Sequence, residues 1–276
     1  GAMLWVVGGA GSGKTAWSGK LCSDRGGAVA ARHFCRHADI NLNDPHRMIR
    51  SLAAQLVSRG LMDAADAASD GGGGKTLKEL FETLIAVPLE RASPPADGQR
   101  RVILIDALDE CASGGKNELL ELIAGSFGDG ALPEWLRLVV TSRPEHDIET
   151  KLAHFNPVQM ECDGNKEDAR AYLAHLLQGK VAVADEPAAL RLLEERSQSL
   201  FLYLSFVRSR LAEVDQPRVA TLEELRHFPD GLTGIYEGEF KRVFKSKSTQ
   251  AWLGVQPLLE MLVAAREPLP VQAAAA

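Results

Sequence analysis

Short apolar runs alternate with amphipathic stretches over the first two thirds of the chain. Residues 4–7, 29–35, 102–105, 136–141 and 157–160 are compact runs dominated by apolar residues, and they predict five strands. The central runs are apolar at successive positions rather than alternate ones, as strands covered on both faces must be. Between them, residues 16–22, 45–59, 77–91, 116–127 and 148–155 carry apolar residues at helical spacing. Asp44-Pro45 supplies a cap and a first helical residue for the second of these. Strands alternating with helices predict a parallel sheet with right-handed crossovers and helices on both faces. Two stretches break the pattern. Residues 63–75 are small and include Gly71 to Gly74, and residues 93–99 contain Pro94-Pro95 and Asp97-Gly98, so both read as surface loops.

After about residue 163 the strand signal stops. Residues 165–178, 187–197, 200–214, 221–228, 232–244 and 250–266 all carry helical periodicity. Asn165 and Thr221 are each followed three positions on by an acid, Asp168 and Glu224, which is an N-terminal capping signature. The expected organisation is an α/β unit over 4–162, an all-helical unit over 163–247, and the start of a further unit over 248–276. The strand-like Leu269-Pro270-Val271 near the end suggests that this last unit is cut short, and Gly1-Ala2-Met3 reads as a cloning scar.

Composition narrows the function classes. The 276 residues hold 45% hydrophobic and 25% charged side chains, an ordinary soluble globular balance. Lys and Arg total 31 against 37 Asp and Glu, a net charge of −6, so no basic excess points to nucleic acid. Short basic clusters (Lys241-Arg242, Lys245, Lys247) fit a solvated helix face. No apolar run reaches membrane-spanning length. Cys22, Cys35, Cys111 and Cys162 form no paired metal spacing and read as small core residues in a reducing compartment. The cytoplasm is the expected location.

The chemistry begins directly after the first strand. Gly8-Gly9-Ala10-Gly11-Ser12-Gly13-Lys14-Thr15 matches G-x-x-x-x-G-K-[ST] in a strand–loop–helix setting, the pattern of a phosphate-binding loop. Glycines let backbone N–H groups turn toward an anion, and the following helix aims its positive end there. Gly8 to Ala16 are thus the expected nucleotide contacts. Lys14 would reach the outer phosphates, and Thr15 would place its hydroxyl on Mg²⁺.

The third strand ends in a carboxylate, Asp106, followed by Ala107-Leu108-Asp109-Glu110. Ligands of open parallel sheets bind beyond the carboxyl ends of the strands, so Asp106 is expected beside the glycine loop as a second Mg²⁺ contact. Asp109 and Glu110 sit where a water would attack the γ-phosphate. Glu110 is the expected base, with Asp109 supporting it or contacting metal. The fourth strand ends in Thr141-Ser142-Arg143-Pro144 at the same edge. Arg143 would aim its guanidinium at the γ-phosphate; the plainer alternative is an arginine paired with Glu145 or Asp147.

These three motifs together resemble the NACHT family of P-loop NTPases, within the signal-transducing ATPases with numerous domains (STAND). A small residue after the first acid, here Ala107, and a further acid pair, here Asp109-Glu110, are habits of that family. The run from Ala31 to Arg36, the run from Ile49 to Leu56, Leu200-Phe201-Leu202-Tyr203, and Phe228-Pro229-Asp230-Gly231-Leu232 with Ile235-Tyr236 are similar to fungal-type members. The resemblance spans roughly residues 4–270. It implies a P-loop nucleotide-binding domain, a helical domain and the start of a winged helix, with ATP or ADP and Mg²⁺ as ligands. It further implies slow ATP hydrolysis, self-association on activation, and effector and sensor domains in a longer NLR-like signalling protein of innate immunity. The chain lacks a Gly-Leu-Pro-Leu run, and residues upstream of the first strand that help hold adenine in this class are not in the sequence. His227 has no matching motif and reads as a structural or surface histidine.

Two other functions compete with the switch. One is a constitutively active ATPase of AAA type, against which the lack of a clear trans arginine finger argues; Arg100-Arg101 precede a strand and are better read as entry charges. The other is a scaffold that holds nucleotide without hydrolysis, against which the acid pair Asp109-Glu110 argues.

Overall fold

The computed structural model describes residues 3–37, 39, 41–67, 74–111, 117–127, 132–160, 166–212, 219–244 and 250–264. Two compact units divide the chain: residues 1–10 with 14–160, and residues 11–13 with 161–276.

In the first unit, strands β1 (Met3–Val7), β2 (Val29–Phe34), β3 (Arg101–Asp106), β4 (Leu136–Ser142) and β5 (Val158–Gln159) form one sheet. Its order is β2-β3-β4-β1-β5, and every pairing is parallel. All five expected strands are present. The order places β4 between the strand that leads into the glycine loop and the strand that ends in Asp106. Three carboxyl ends therefore lie side by side: Val6 pairs with Thr141, Val7 with Ser142, and Ile105 with Val140.

Alternation along the strands explains why the sheet is covered on both faces. Trp5, Val7, Ile103, Ile105, Leu138 and Val140 enter the large core cluster on one side. Leu104 and Val139 face the other way, against Trp17 and Leu21 of helix α1 (Lys14–Asp24). Helix α2 (Pro45–Ser58) packs on the large-core side through Met48, Ile49, Leu52, Ala53 and Leu56, a single apolar stripe. Asp44 caps it, its carboxylate accepting from His46 N and Arg47 N. The edge strand β2 is partly closed by α2: the Gln55 amide donates to Arg32 O and accepts from Arg32 N, both at 3.0 Å.

Some boundaries differ from the sequence expectation. Residues 63–75 contain a short helical turn, α3 (Ala64–Ala67), where a loop was expected; Gly71 to Gly73 lie outside the described residues. The expected helix over 77–91 is α4 (Leu77–Phe81), a wider π-turn (Glu82–Ala86) and α5 (Val87–Arg91). Pro88 lacks an N–H, so the regular ladder cannot run through it. The next helix, α6 (Glu118–Leu122), also runs into a π-turn (Ile123–Phe127). Helix α7 (His146–Leu152) follows β4.

The second unit is helical where described. Helices α8 (Lys166–Leu177), α9 (Glu186–Ser197), α10 (Phe201–Ala212), α11 (Leu222–Arg226), α12 (Gly231–Phe244) and α13 (Gln250–Ala264) follow in order. Ala169, Leu173 and Leu177 of α8, Ala189 and Leu193 of α9, and Tyr203, Leu204, Val207 and Leu211 of α10 build its core. Those spacings of three and four keep one face of each helix inward. Thr221 caps α11 in a full capping box with Glu224, as expected. The expected cap Asn165, the thiol of Cys162 and the strand-like residues 269–271 lie outside the described residues. Of the expected winged-helix start, only α13 is described.

Candidate functional site

The glycine loop is where a backbone without Cβ is required. Gly11 and Gly13 have φ of +74° and +96°, conformations that side-chain-bearing residues rarely adopt. The loop starts on the sheet, with Gly8 N donating to Ser142 O at 3.2 Å. It ends in α1, so the N-terminus of that helix opens at Lys14 and Thr15.

The Lys14 ammonium donates to Gly8 O at 2.5 Å and to Gly9 O at 2.9 Å, folding the side chain back over its own loop. Burial lowers its pKa from the ordinary lysine value, Asp109 opposes that shift, and Arg143 adds to it. Lys14 thus stands among charges of both signs, with Asp106 and Glu110 also acting on it.

Asp106 is the centre of the arrangement. It is buried, and hydroxyls satisfy both of its oxygens. Thr15 Oγ1 donates to Oδ2 at 2.8 Å, while Ser18 Oγ and Thr141 Oγ1 donate to Oδ1 at 2.6 and 2.7 Å. Thr141 Oγ1 in turn accepts from Ala107 N at 2.9 Å. Ala107 holds φ at +59°, a left-handed conformation that costs an alanine roughly 1–2 kcal/mol. A small side chain after Asp106 keeps that turn available, and the turn delivers the Ala107 N–H to Thr141.

Thr15 and Asp106 are hard oxygen donors side by side, one exposed and one buried. That donor set fits Mg²⁺, which needs only one or two protein oxygens and keeps several waters. Among the described residues no group of three His, Cys, Asp or Glu side chains is placed to hold a metal.

The outer acids are engaged with Arg143. Its Nε lies 3.2 Å from Asp109 Oδ2, and its backbone N donates to Asp109 Oδ1 at 3.0 Å. Its Nη2 lies 3.9 Å from Glu110 Oε1. The Asp109 side chain is only 4% exposed, whereas Arg143 is 49% exposed. Asp109 therefore anchors the arginine, a role the sequence reading did not give it. Glu110 also accepts from His37 N at 3.0 Å through its other oxygen. Neither Glu145 nor Asp147 provides Arg143 with a described ion pair; burial raises the pKa of Glu145.

The sequence reading missed Ser18, Trp5 and the His37 amide. Ser18 lies three residues beyond Thr15 on α1, so both hydroxyls face Asp106 from one side of the helix. A polar residue at that spacing from the loop threonine was the available signal. Trp5 Nε1 donates to Ser142 Oγ at 2.9 Å and ties β1 to the end of β4. Cys35 and Cys111 are both buried, and the Cys111 thiol together with burial pushes the Cys35 thiol up. No helix among the described residues is long and apolar enough to cross a membrane.

Compared with curated proteins, the chain has no significant match. Among solved structures it is similar to a chain in the structure of Drosophila ORC bound to DNA, with 11% identity and a TM-score of 0.40. The alignment covers 98% of this chain and 64% of that one, and likeness at this level carries no inference about function. The model of the family described as Nephrocystin 3, N-terminal, matches residues 1–143, just over half of the 276. The matched span includes the glycine loop, Asp106, Asp109, Glu110 and Arg143, and the chain belongs to that family.

Proposed function

We propose that this chain is a nucleotide-operated switch that binds ATP or ADP with Mg²⁺ and hydrolyses ATP slowly. The observation that carries the reading is the hydrogen bond from Thr15 to the buried carboxylate of Asp106. It joins the end of a G-x-x-x-x-G-K-[ST] loop to the end of an apolar strand. Gly8 to Ala16 would cradle the phosphates through backbone N–H groups, and Lys14 would leave its own carbonyls for the outer phosphates. Thr15 and Asp106 would hold Mg²⁺, which supplies neutralisation of phosphate charge when bound. Glu110 would take the proton of the attacking water. Arg143, half-exposed and held by Asp109, would respond to the γ-phosphate.

A γ-phosphate that draws Arg143 away from Asp109 and Glu110 would give the ATP and ADP states different contacts, which is what a switch requires. The NACHT-like role belongs to this proposal: conformational opening, self-association, and effector and sensor domains of a longer cytoplasmic signalling protein. A second reading is a scaffold that retains nucleotide without hydrolysing it. It is favoured by the engagement of both Glu110 oxygens, by His37 N and by Arg143.

Calorimetry with ATP, ADP and GTP tests the binding step, and Lys14→Ala is expected to abolish the heat. Wild-type protein that gives no heat with any nucleotide refutes the reading. Turnover with Mg²⁺–ATP separates the two functions. The switch predicts slow hydrolysis, and Glu110→Gln is expected to lower it by about 10²-fold or more while preserving binding. An unchanged rate removes Glu110 as the base, and no hydrolysis by wild type favours the scaffold.

A further inference from the structure

The carboxylate of Asp106 is held more tightly than metal binding alone requires. Its Oδ1 receives two hydroxyls, Ser18 Oγ at 2.6 Å and Thr141 Oγ1 at 2.7 Å, and neither residue is exposed at all. The direction of the Thr141 proton is fixed. Its oxygen accepts from Ala107 N at 2.9 Å, so its own hydrogen must go to Asp106. Ser18 approaches from α1 and Thr141 from β4, so the carboxylate is gripped from both a helix and a strand. Among the described residues Oδ2 receives only Thr15, whose residue is solvent-exposed.

We infer that Ser18 is a positioning residue: with Thr141 it clamps Oδ1 of Asp106, leaving Oδ2 and the Thr15 hydroxyl as the pair presented to a nucleotide-bound divalent cation. The inference rests on the proposed nucleotide reading and adds to it the device that orients the carboxylate. Two donors on one oxygen stop the carboxylate from rotating about its Cβ–Cγ bond. A side chain free to rotate would offer the cation either oxygen at the wrong angle, and Mg²⁺ tolerates little departure from octahedral geometry. The distinctive consequence is a defect in divalent-cation dependence, separate from any defect in holding the nucleotide itself.

The test uses a fluorescent ADP titrated into wild type, Ser18→Ala, Thr141→Val and Thr141→Ser, first in EDTA and then at stepped Mg²⁺. Bound Mn²⁺ is counted in parallel by the loss of the free Mn²⁺ resonance signal. Ser18→Ala and Thr141→Val are expected to keep their EDTA affinity within about twofold while needing about 10- to 100-fold more Mg²⁺ or Mn²⁺, the range for residues that orient metal ligands. Thr141→Ser keeps the hydroxyl and is expected to restore wild-type dependence. A Ser18→Ala protein with wild-type Mg²⁺ and Mn²⁺ dependence overturns the inference and leaves the nucleotide reading intact. Equal losses in EDTA and in Mg²⁺ overturn it in favour of a purely structural role. Should Ser18→Ala fail to fold, Thr141→Val against Thr141→Ser separates the orienting role from the structural one in the same way. Wild-type protein that takes up no nucleotide overturns both readings.

Discussion

The sheet of the first unit and the helices of the second bury different polar groups. At the carboxyl ends of β3 and β4, the α/β unit hides Asp106, Thr141 and Ser142, with Ser18 of α1 against them. Residues 166–264 bury only Ser197 and Ser199 among those described, both where α9 ends. Their core is otherwise leucine, alanine, valine and one tyrosine. A buried carboxylate is expensive unless it is fully hydrogen-bonded, and the first unit devotes three hydroxyls to one. The helical unit shows that a core in this chain needs no such network to pack. A polar cluster of this kind is what the proposed nucleotide site predicts.

The largest effect that tests this contrast lies in the helical core. Leu193 is fully buried between α8, α9 and α10, and Leu193→Ala removes its packing outright. The expected loss is about 2–5 kcal/mol for the helical unit, from lost transfer energy and the cavity left behind. Amide hydrogen exchange in α8 to α10 measures it. A loss below about 1 kcal/mol would show a loosely packed core and break the comparison.

A smaller and symmetric effect sharpens it. Each unit carries a complete capping box, Thr76 with Glu79 at α4 and Thr221 with Glu224 at α11. Both threonine side chains accept from the N3 amide, at 3.3 and 3.2 Å. Thr76→Ala and Thr221→Ala are each expected to cost about 1 kcal/mol, read as a shift in denaturant midpoint. Similar costs would show that the units share their local rules and differ only in what they bury. A cap that matters in one unit alone would mean that the contrast extends to their secondary structure.

What could be read from the sequence follows the same division. Strands and helices were legible because each apolar run must be covered, and coverage imposes period or continuity. Val102 to Ile105 declared a strand, and the stripe from Met48 to Leu56 declared a helix with its cap at Asp44. The π-turns after Phe81 and Leu122 were not legible, because one extra residue per turn leaves the apolar count almost unchanged. In the site, Gly8 to Thr15 and Asp106 were legible from fixed spacing along the chain. Ser18 left only a local trace, a hydroxyl three residues beyond Thr15, and the pairing of Asp109 with Arg143 left none, because it depends on β4 being inserted between β1 and β3. Strand order is a non-local property, and a motif read along the chain contains no term for it.

The smallest effect concerns His33, the buried histidine of β2. Its Nε2–H donates to Leu42 O at 2.8 Å, and burial lowers its pKa from the ordinary value of 6.5 despite that bond. Above pH 6.5 the ring is neutral in both the folded and the unfolded chain, and the stability of the fold is fully present. Below it the unfolded chain binds a proton that the fold resists, so stability falls as pH drops from 6.5 toward the lowered folded value. Glu145 acts in the opposite sense. Its pKa is raised from 4.5, so its protonation favours the fold on further acidification. Denaturant unfolding at about pH 7.5 and about pH 5.5, either side of the histidine range, should therefore show a loss in wild type that shrinks in His33→Gln, since glutamine can donate to Leu42 O without taking a proton. An identical loss in the variant would mean that His33 is charged inside the fold. The α/β unit would then bury a charge on its edge strand as well as at Asp106, and the contrast between the two units would no longer mark one site.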